Sequence, residues 1–164
     1  MCKINDEFCV IRADLSHFEG ICLVENRCFT EPWSEQSIYD TLSLSEYTYF
    51  AAHTKTGAIV GYVAMYQVLD EAHIVNIAVL SEYRRMGIAD KLLKVLTDYG
   101  VFKENDPVSV FFLEVRQSNS AAIELYRKHG FKEYGIRKNY YRNPSENAVL
   151  MSYNYLDSAD EIEL

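Results

Sequence analysis

Residues 109–131, SVFFLEVRQSNSAAIELYRKHGF, constrain the fold more than any other stretch, because they change backbone period once and then stop. Val108 to Val115 is a β-rich apolar run carrying one carboxylate, Glu114. Gln117, Ser118, Asn119 and Ser120 supply capping residues, helical spacing follows through Tyr126, and Gly130 ends it. Any fold must therefore seat a strand, turn, helix and stop here. A carboxylate on a buried strand followed by a tyrosine one helix later is a candidate acid/base pair.

Upstream, the pattern predicts a short strand at Phe8 to Arg12. Asp14 is placed to cap a helix carrying Phe18, Ile21, Cys22, Val24 and Glu25 toward Cys28. Pro32 disfavours helix at the residue before it, so Thr30 to Ser34 reads as a break and Ser34 as the start of a second helix. The only tryptophan, Trp33, sits in that break, as a lid on a core or as the wall of a groove. Tyr47 to His53 and Ile59 to Leu69 form a hairpin about Lys55-Thr56-Gly57, and Asp70-Glu71-Ala72 turns the chain into a strand from His73 to Val79. Glu71 and His73 are too few to hold a metal ion, and a solvated turn is the expected reading. Ile88, Leu92, Val95, Leu96 and Tyr99 share one helical face, with Gly100 as the expected stop. Phe131 to Tyr141 and Ala148 to Tyr155 make a last strand pair. Residues 1–156 read as one domain, and residues 157–164, DSADEIEL, as an acidic tail expected to fray.

A chain of 164 residues buries about 70 % of its unfolded surface when it folds as one domain. The net charge of -8 argues against a nucleic-acid partner, because phosphate binding rests on Lys and Arg. A basic partner is more compatible, and ordinary solubility explains the charge equally well. Cys2, Cys9, Cys22 and Cys28 show no C-x-x-C spacing, so neither a zinc site nor a disulfide framework is expected. The first six residues carry no cleavable signal pattern, and no apolar run approaches the ~18 residues of a membrane span. The expectation is a cytoplasmic protein with reduced thiols, without membrane, metal or nucleic acid. Its oligomeric state, monomer or weak dimer, is not readable.

Three constellations could carry chemistry. Arg84-x-x-Gly87-x-Ala89 opens a helix, where about four amides lack partners and a positive partial charge favours a diphosphate, provided side-chain bulk is small. Taken alone, so short a pattern also fits a plain tight turn. Neither the P-loop signature nor the Gly-rich dinucleotide pattern is present. Glu114 shares a strand face with Val110 and Phe112, where desolvation would suit it to general-base work. A structural ion pair with Arg116 fits the spacing equally well. Tyr126 lies on a helix face with Ala122, Leu125 and His129, and by that spacing alone it reads as core.

The order of elements, with Arg84-x-x-Gly87-x-Ala89 opening the third helix, resembles the GNAT family of N-acetyltransferases. Four stretches resemble its branch acting on the N-terminal alanine of a small-subunit ribosomal protein. They are Pro32-Trp33-Ser34; Asp70-Glu71-Ala72 with Asn76-Ile77-Ala78-Val79; Leu113-Glu114-Val115-Arg116-x-Ser118-Asn119-x-x-Ala122-Ile123-x-Leu125-Tyr126; and Arg137-Lys138-Asn139-Tyr140-Tyr141.

The resemblance implies an α/β fold of the α+β type: a mixed, mostly antiparallel sheet with helices on both faces and two splayed central strands that admit acetyl-coenzyme A. It implies that the amides of Arg84, Arg85, Met86, Gly87, Ile88 and Ala89 hold the diphosphate. The pantetheine arm would run along Ile77, Ala78 and Val79, with Asn119 in contact from the next helix. An Ile77 or Ala78 amide would polarise the thioester carbonyl. Glu114 would be the base and Tyr126, at the cofactor, the acid toward the departing thiolate. Trp33, Glu114, Tyr140 and Tyr141 would line the site of the acceptor, the N-terminal peptide of a basic ribosomal protein. Relatives that acetylate small amines or lysines share the cofactor half, and an idle module that only binds acetyl-coenzyme A is a third reading. Trp33, Tyr140 and Tyr141 speak against the former, and Glu114 together with Tyr126 against the latter.

Overall fold

The computed structural model describes residues 2–3 and 7–156, so the acidic tail expected at 157–164 lies outside the described residues. The chain divides into two compact units, residues 1–66 with 74–99, and residues 67–73 with 100–164.

In the first unit, β1 (Cys2–Lys3), β2 (Phe8–Arg12), β3 (Tyr47–Thr54), β4 (Ile59–Val68) and β5 (Glu71–Val79) are neighbours in that order. β5 begins in the second unit, at residues 71–73. β2 pairs antiparallel with β3 from Phe8↔Thr54 to Arg12↔Phe50, and β3 with β4 from Tyr47↔Tyr66, with a bulge after Ala52. Thr48 to Ala52 are all buried because both faces of β3 are covered. Period two sends Tyr49 and Ala51 into a cluster with Ile21, Cys22 and Val24 of α1 (Phe18–Cys28) and Ile38 of α2 (Glu35–Ser43). Phe50 points the other way and meets Tyr99 of α3 (Ile88–Phe102) edge-on, with ring centroids 5.5 Å apart.

The expected caps form. Asp14 accepts from the Ser16 amide at 2.9 Å, although the turn it starts is a 3-10 helix, Leu15–His17, that runs on into α1. Ser34 accepts from the Ser37 amide at 3.1 Å and starts α2. Each such cap is worth about 1 kcal/mol.

The second unit carries the stretch from 109 to 131. β6 (Val110–Arg116) runs parallel to the start of β5 over Glu71↔Val110, Ala72↔Phe111 and His73↔Phe112. A parallel pair needs a crossover, and α3 supplies it. β8 (Glu146–Asn154) pairs antiparallel with β6 from Val110↔Asn154 to Arg116↔Ala148, and β7 (Lys132–Tyr141) pairs antiparallel with β8 at the sheet edge. α4 (Ser120–Lys128) connects β6 to β7, and Gly130 turns the chain after it with a φ of +84°. Phe111, Leu113 and Val115 face inward, each burial contributing about 1.5–3 kcal/mol. The arrangement is the expected mixed, mostly antiparallel α/β sheet.

Two local expectations need correction. Gly100 does not end α3, which runs to Phe102. A Cβ at Gly100 would lie 2.7 Å from Cζ of Phe111, so the glycine marks a close approach to β6. β5 starts at Glu71, within the expected turn, because Leu69 takes the left-handed conformation (φ +54°) and reverses the chain sooner. The last pair of strands holds, with β8 starting at Glu146.

Candidate active site

The candidate residues are grouped on two surfaces, one in each unit. In the first unit β5 ends in half-buried Ile77 and buried Ala78 and Val79, and a 3-10 helix (Ser81–Tyr83) leads into Arg84. Arg85 and Gly87 then both adopt left-handed φ, +63° and +78°. The Lys91 amide closes the first turn of α3 on the Gly87 carbonyl at 3.0 Å, so the Ile88 and Ala89 amides precede the helical ladder. Left-handed residues next to a helix start make a concavity of N–H groups with the polarity an anion prefers. A Cβ on Gly87 would meet no protein atom within 4 Å, so conformation and not crowding by the protein demands glycine here.

Arg84 departs from expectation. Its amide donates to the Ser81 carbonyl at 3.3 Å and its Nε to the Val79 carbonyl at 3.1 Å, so it braces the turn against the end of β5 instead of offering a free amide. The Cys28 thiol touches the Arg84 side chain, and burial is the main influence pushing that thiol above its ordinary value. Cys9, Cys22 and Cys28 are all free. Trp33 is half-buried against the first unit's core, and its amide donates to Glu25 Oε1 at 2.8 Å.

In the second unit the odd-even register of β6 is as expected, but the face is not. Val110, Phe112, Glu114 and Arg116 share the half-exposed side, while Phe111, Leu113 and Val115 take the buried one. Glu114 therefore lacks the apolar enclosure expected of it. Its side chain is 23 % exposed and lies 3.4 Å from Nη1 of Arg137, a partner outside the expected spacing. Arg116, the partner anticipated from sequence, instead pairs with Glu146 at 3.2 Å. Arg116 also donates to the Pro144 and Asn143 carbonyls of the β7–β8 turn.

Tyr141 donates from its hydroxyl to the Glu114 carbonyl at 3.3 Å, and the Arg116 guanidinium lies 4.2 Å from its ring centre. Burial pushes its phenol up to about 12. Tyr140 meets Tyr141 edge-on at 5.1 Å and is itself covered by Arg137 at 5.0 Å. These cation–π contacts fix both tyrosines beside the Glu114 strand, at about 0.5–1 kcal/mol each.

Tyr126 on α4 is 5 % exposed and packs against Phe131 with ring centroids 5.7 Å apart. Burial, and secondarily Tyr141, pushes its phenol well above the ordinary value, which keeps the proton on. No hydrogen bond is formed by its hydroxyl among the described residues, and no fully buried side-chain oxygen there lacks a partner. The ring is thus shut in. Asn119 is the N-cap of α4, its Oδ1 accepting from the Ala122 amide at 3.2 Å, which leaves its Nδ2 to reach a ligand.

The chain matches the acetyltransferase (GNAT) family over residues 18–131. It belongs to that family. This GNAT protein is accordingly an N-acetyltransferase. It is 38 % identical over 131 residues to the ribosomal protein bS18-alanine N-acetyltransferase of Escherichia coli (strain K12), covering 79 % of this chain and 85 % of that one. It is 32 % identical over 162 residues to the N-alpha-acetyltransferase of Sulfurisphaera tokodaii, covering 92 % and 95 %. The crystal structure of the ribosomal-protein-S18-alanine N-acetyltransferase from Escherichia coli superposes with a TM-score of 0.79 at 32 % identity, over 90 % of this chain and 93 % of that one.

Sequence reasoning gave no role to Glu25, Asn76 or Arg137. A carboxylate at i+4 from Ile21 on an apolar helix face was the readable signal for Glu25. Nothing in the spacing announced Arg137, whose approach to Glu114 depends on the β6–β8–β7 register.

Proposed function

We propose that this GNAT enzyme transfers an acetyl group from acetyl-coenzyme A to the N-terminal α-amine of an alanine-starting ribosomal protein, bS18 being the acceptor named for its relatives. The observation that carries the cofactor half is the turn before α3, where two left-handed residues and the unladdered amides of Ile88 and Ala89 leave an open, anion-favouring surface. The residues fit the group: Arg85 to Ala89 would hold its diphosphate, and Ile77 to Val79 would lie along its pantetheine arm. Acetyl-coenzyme A supplies the acetyl group as a thioester. The acceptor half is supported by the relatives' shared α-amine chemistry and by a net charge of -8, which suits a basic peptide.

An α-amine with a pKa near 7.7–8.0, against about 10.4 for lysine, gives up its proton more easily by roughly 3.5 kcal/mol. Glu114 takes that proton, directly or through water, from an acceptor held by Trp33, Tyr140 and Tyr141. The Ile77 or Ala78 amide donates to the acyl oxygen as charge develops there. Tyr126, its phenol kept protonated by burial, donates toward the sulfur that leaves. Transfer is direct, and the free cysteines carry no acyl group.

Mass spectrometry of bS18 after incubation with the enzyme and acetyl-coenzyme A tests this. One acetyl on the N-terminal alanine is expected. An unmodified N-terminus beside turnover of a polyamine would overturn the reading.

A further inference from the structure

Glu25 lies in the apolar interior of the first unit, 1 % exposed, and its recorded contacts are hydrogen-bond donors. Oε1 accepts from the Trp33 amide at 2.8 Å. Oε2 accepts a very short bond from the Tyr62 hydroxyl. Asn76 Nδ2 reaches both oxygens, at 3.3 and 3.4 Å, and also the Tyr62 oxygen at 3.0 Å. Tyr62 is itself 2 % exposed, and burial ahead of the Glu25 charge keeps its phenol protonated, so its hydroxyl is a donor.

A carboxylate is costly to desolvate and persists in such a place only when its lone pairs are filled. Here they are filled, and three elements meet at the carboxylate. α1 contributes Glu25, β4 contributes Tyr62 and β5 contributes Asn76, the residue immediately before Ile77. The fourth participant is different, because Trp33 belongs to no helix or strand and is held through its backbone. The break at Pro32, which disrupts helix geometry, is thereby tied to the buried carboxylate by one main-chain bond. An apolar residue at position 25 would leave that loop without its anchor and the Tyr62 and Asn76 donors without their acceptor.

We propose that Glu25 is a positioning residue for the acceptor, fixing the Trp33 loop to the strand that ends in Ile77–Val79. This rests on the reading of Trp33 as an acceptor wall. Glu25 touches neither substrate nor cofactor in this role. Its effect passes through the Trp33 amide, so it should appear in acceptor binding and leave acetyl-coenzyme A binding alone.

Trp33 is the only tryptophan, so intrinsic fluorescence reports this loop without labelling. The experiment uses the full chain, a synthetic basic peptide starting with alanine, acetyl-coenzyme A, and the variants Glu25→Ala, Glu25→Gln and Tyr62→Phe. For Glu25→Ala, acrylamide quenching of Trp33 should rise and the acceptor KM should rise about tenfold, while the KM for acetyl-coenzyme A stays within about twofold. Glu25→Gln, which keeps an oxygen for the Trp33 amide, should recover most of both. Should Glu25→Ala not fold, Tyr62→Phe should raise quenching and acceptor KM in the same direction, by about threefold in KM. Unchanged quenching and acceptor KM in the variants that fold would overturn the role of Glu25. In the wild-type enzyme the peptide should shield Trp33 from acrylamide, and a peptide that is acetylated without shielding it would overturn the acceptor-wall reading itself, whatever the variants do.

Discussion

Two carboxylates, Glu25 in the first unit and Glu114 in the second, stand in opposite surroundings. Glu25 is shut in and saturated by donors from Trp33, Tyr62 and Asn76. Glu114 is 23 % exposed and has one loose ionic partner, Arg137 at 3.4 Å. A carboxylate whose lone pairs are all spoken for can organise a loop but has nothing left for a substrate proton. One that is under-satisfied and half open contributes little to folding and remains available. Burial of an acidic group is therefore a poor guide to chemistry; unfilled acceptor capacity is a better one.

The largest expected effect is on stability. Glu25→Ala leaves buried donors unpaired and should destabilise by about 3 kcal/mol, read as a lower urea midpoint. Glu114→Ala should cost under about 0.5 kcal/mol in the same assay, since a half-exposed pair adds little. Equal losses would break the contrast. Next comes turnover: Glu114→Gln and Tyr126→Phe should each lower kcat at least about tenfold, on the order of 1.4 kcal/mol, with the urea midpoint nearly unmoved. An unchanged rate and pH profile in Glu114→Gln would make that carboxylate structural.

Alkali should act on both regions alike. Burial pushes Tyr49 beside the Glu25 cluster and Tyr141 beside Glu114 up to about 12. With folded values above the ordinary value near 10, the stability they contribute is fully present below about pH 10 and is lost as pH rises toward about 12. Phenolate absorbance followed alongside circular dichroism checks this, and phenolate appearing well before structure is lost would contradict it. The smallest effect is expected for Arg137→Ala. The arginine side chain is 53 % exposed, and thermal melts should register less than about 0.5 kcal/mol.

Much of the fold was legible because the chain announces its periods. β2 over Phe8–Arg12, the caps at Asp14 and Ser34, and the stop at Gly130 follow from local rules acting on local residues. The glycine turn that opens α3 was legible for the same reason. What was not legible depended on pairs far apart in sequence. Period two identified the neighbours of Glu114 on its face but not which face the core would cover. Nor could spacing choose Arg137 over Arg116, since that choice follows from strand register and from the β7–β8 turn claiming Arg116. Gly100 was misread for a related reason, a glycine near a helix end being ambiguous until its neighbour across the fold is known.

That glycine bears on how the enzyme can be engineered. Replacing helix glycines by alanine is an ordinary route to a more heat-resistant protein, worth about 1 kcal/mol where the backbone is helical. At position 100 the added methyl would press into the Phe111 ring, so a library that treats all helical glycines alike would select against itself here. Any thermostable version of this acetyltransferase has to leave residue 100 bare or trim the aromatic ring opposite it.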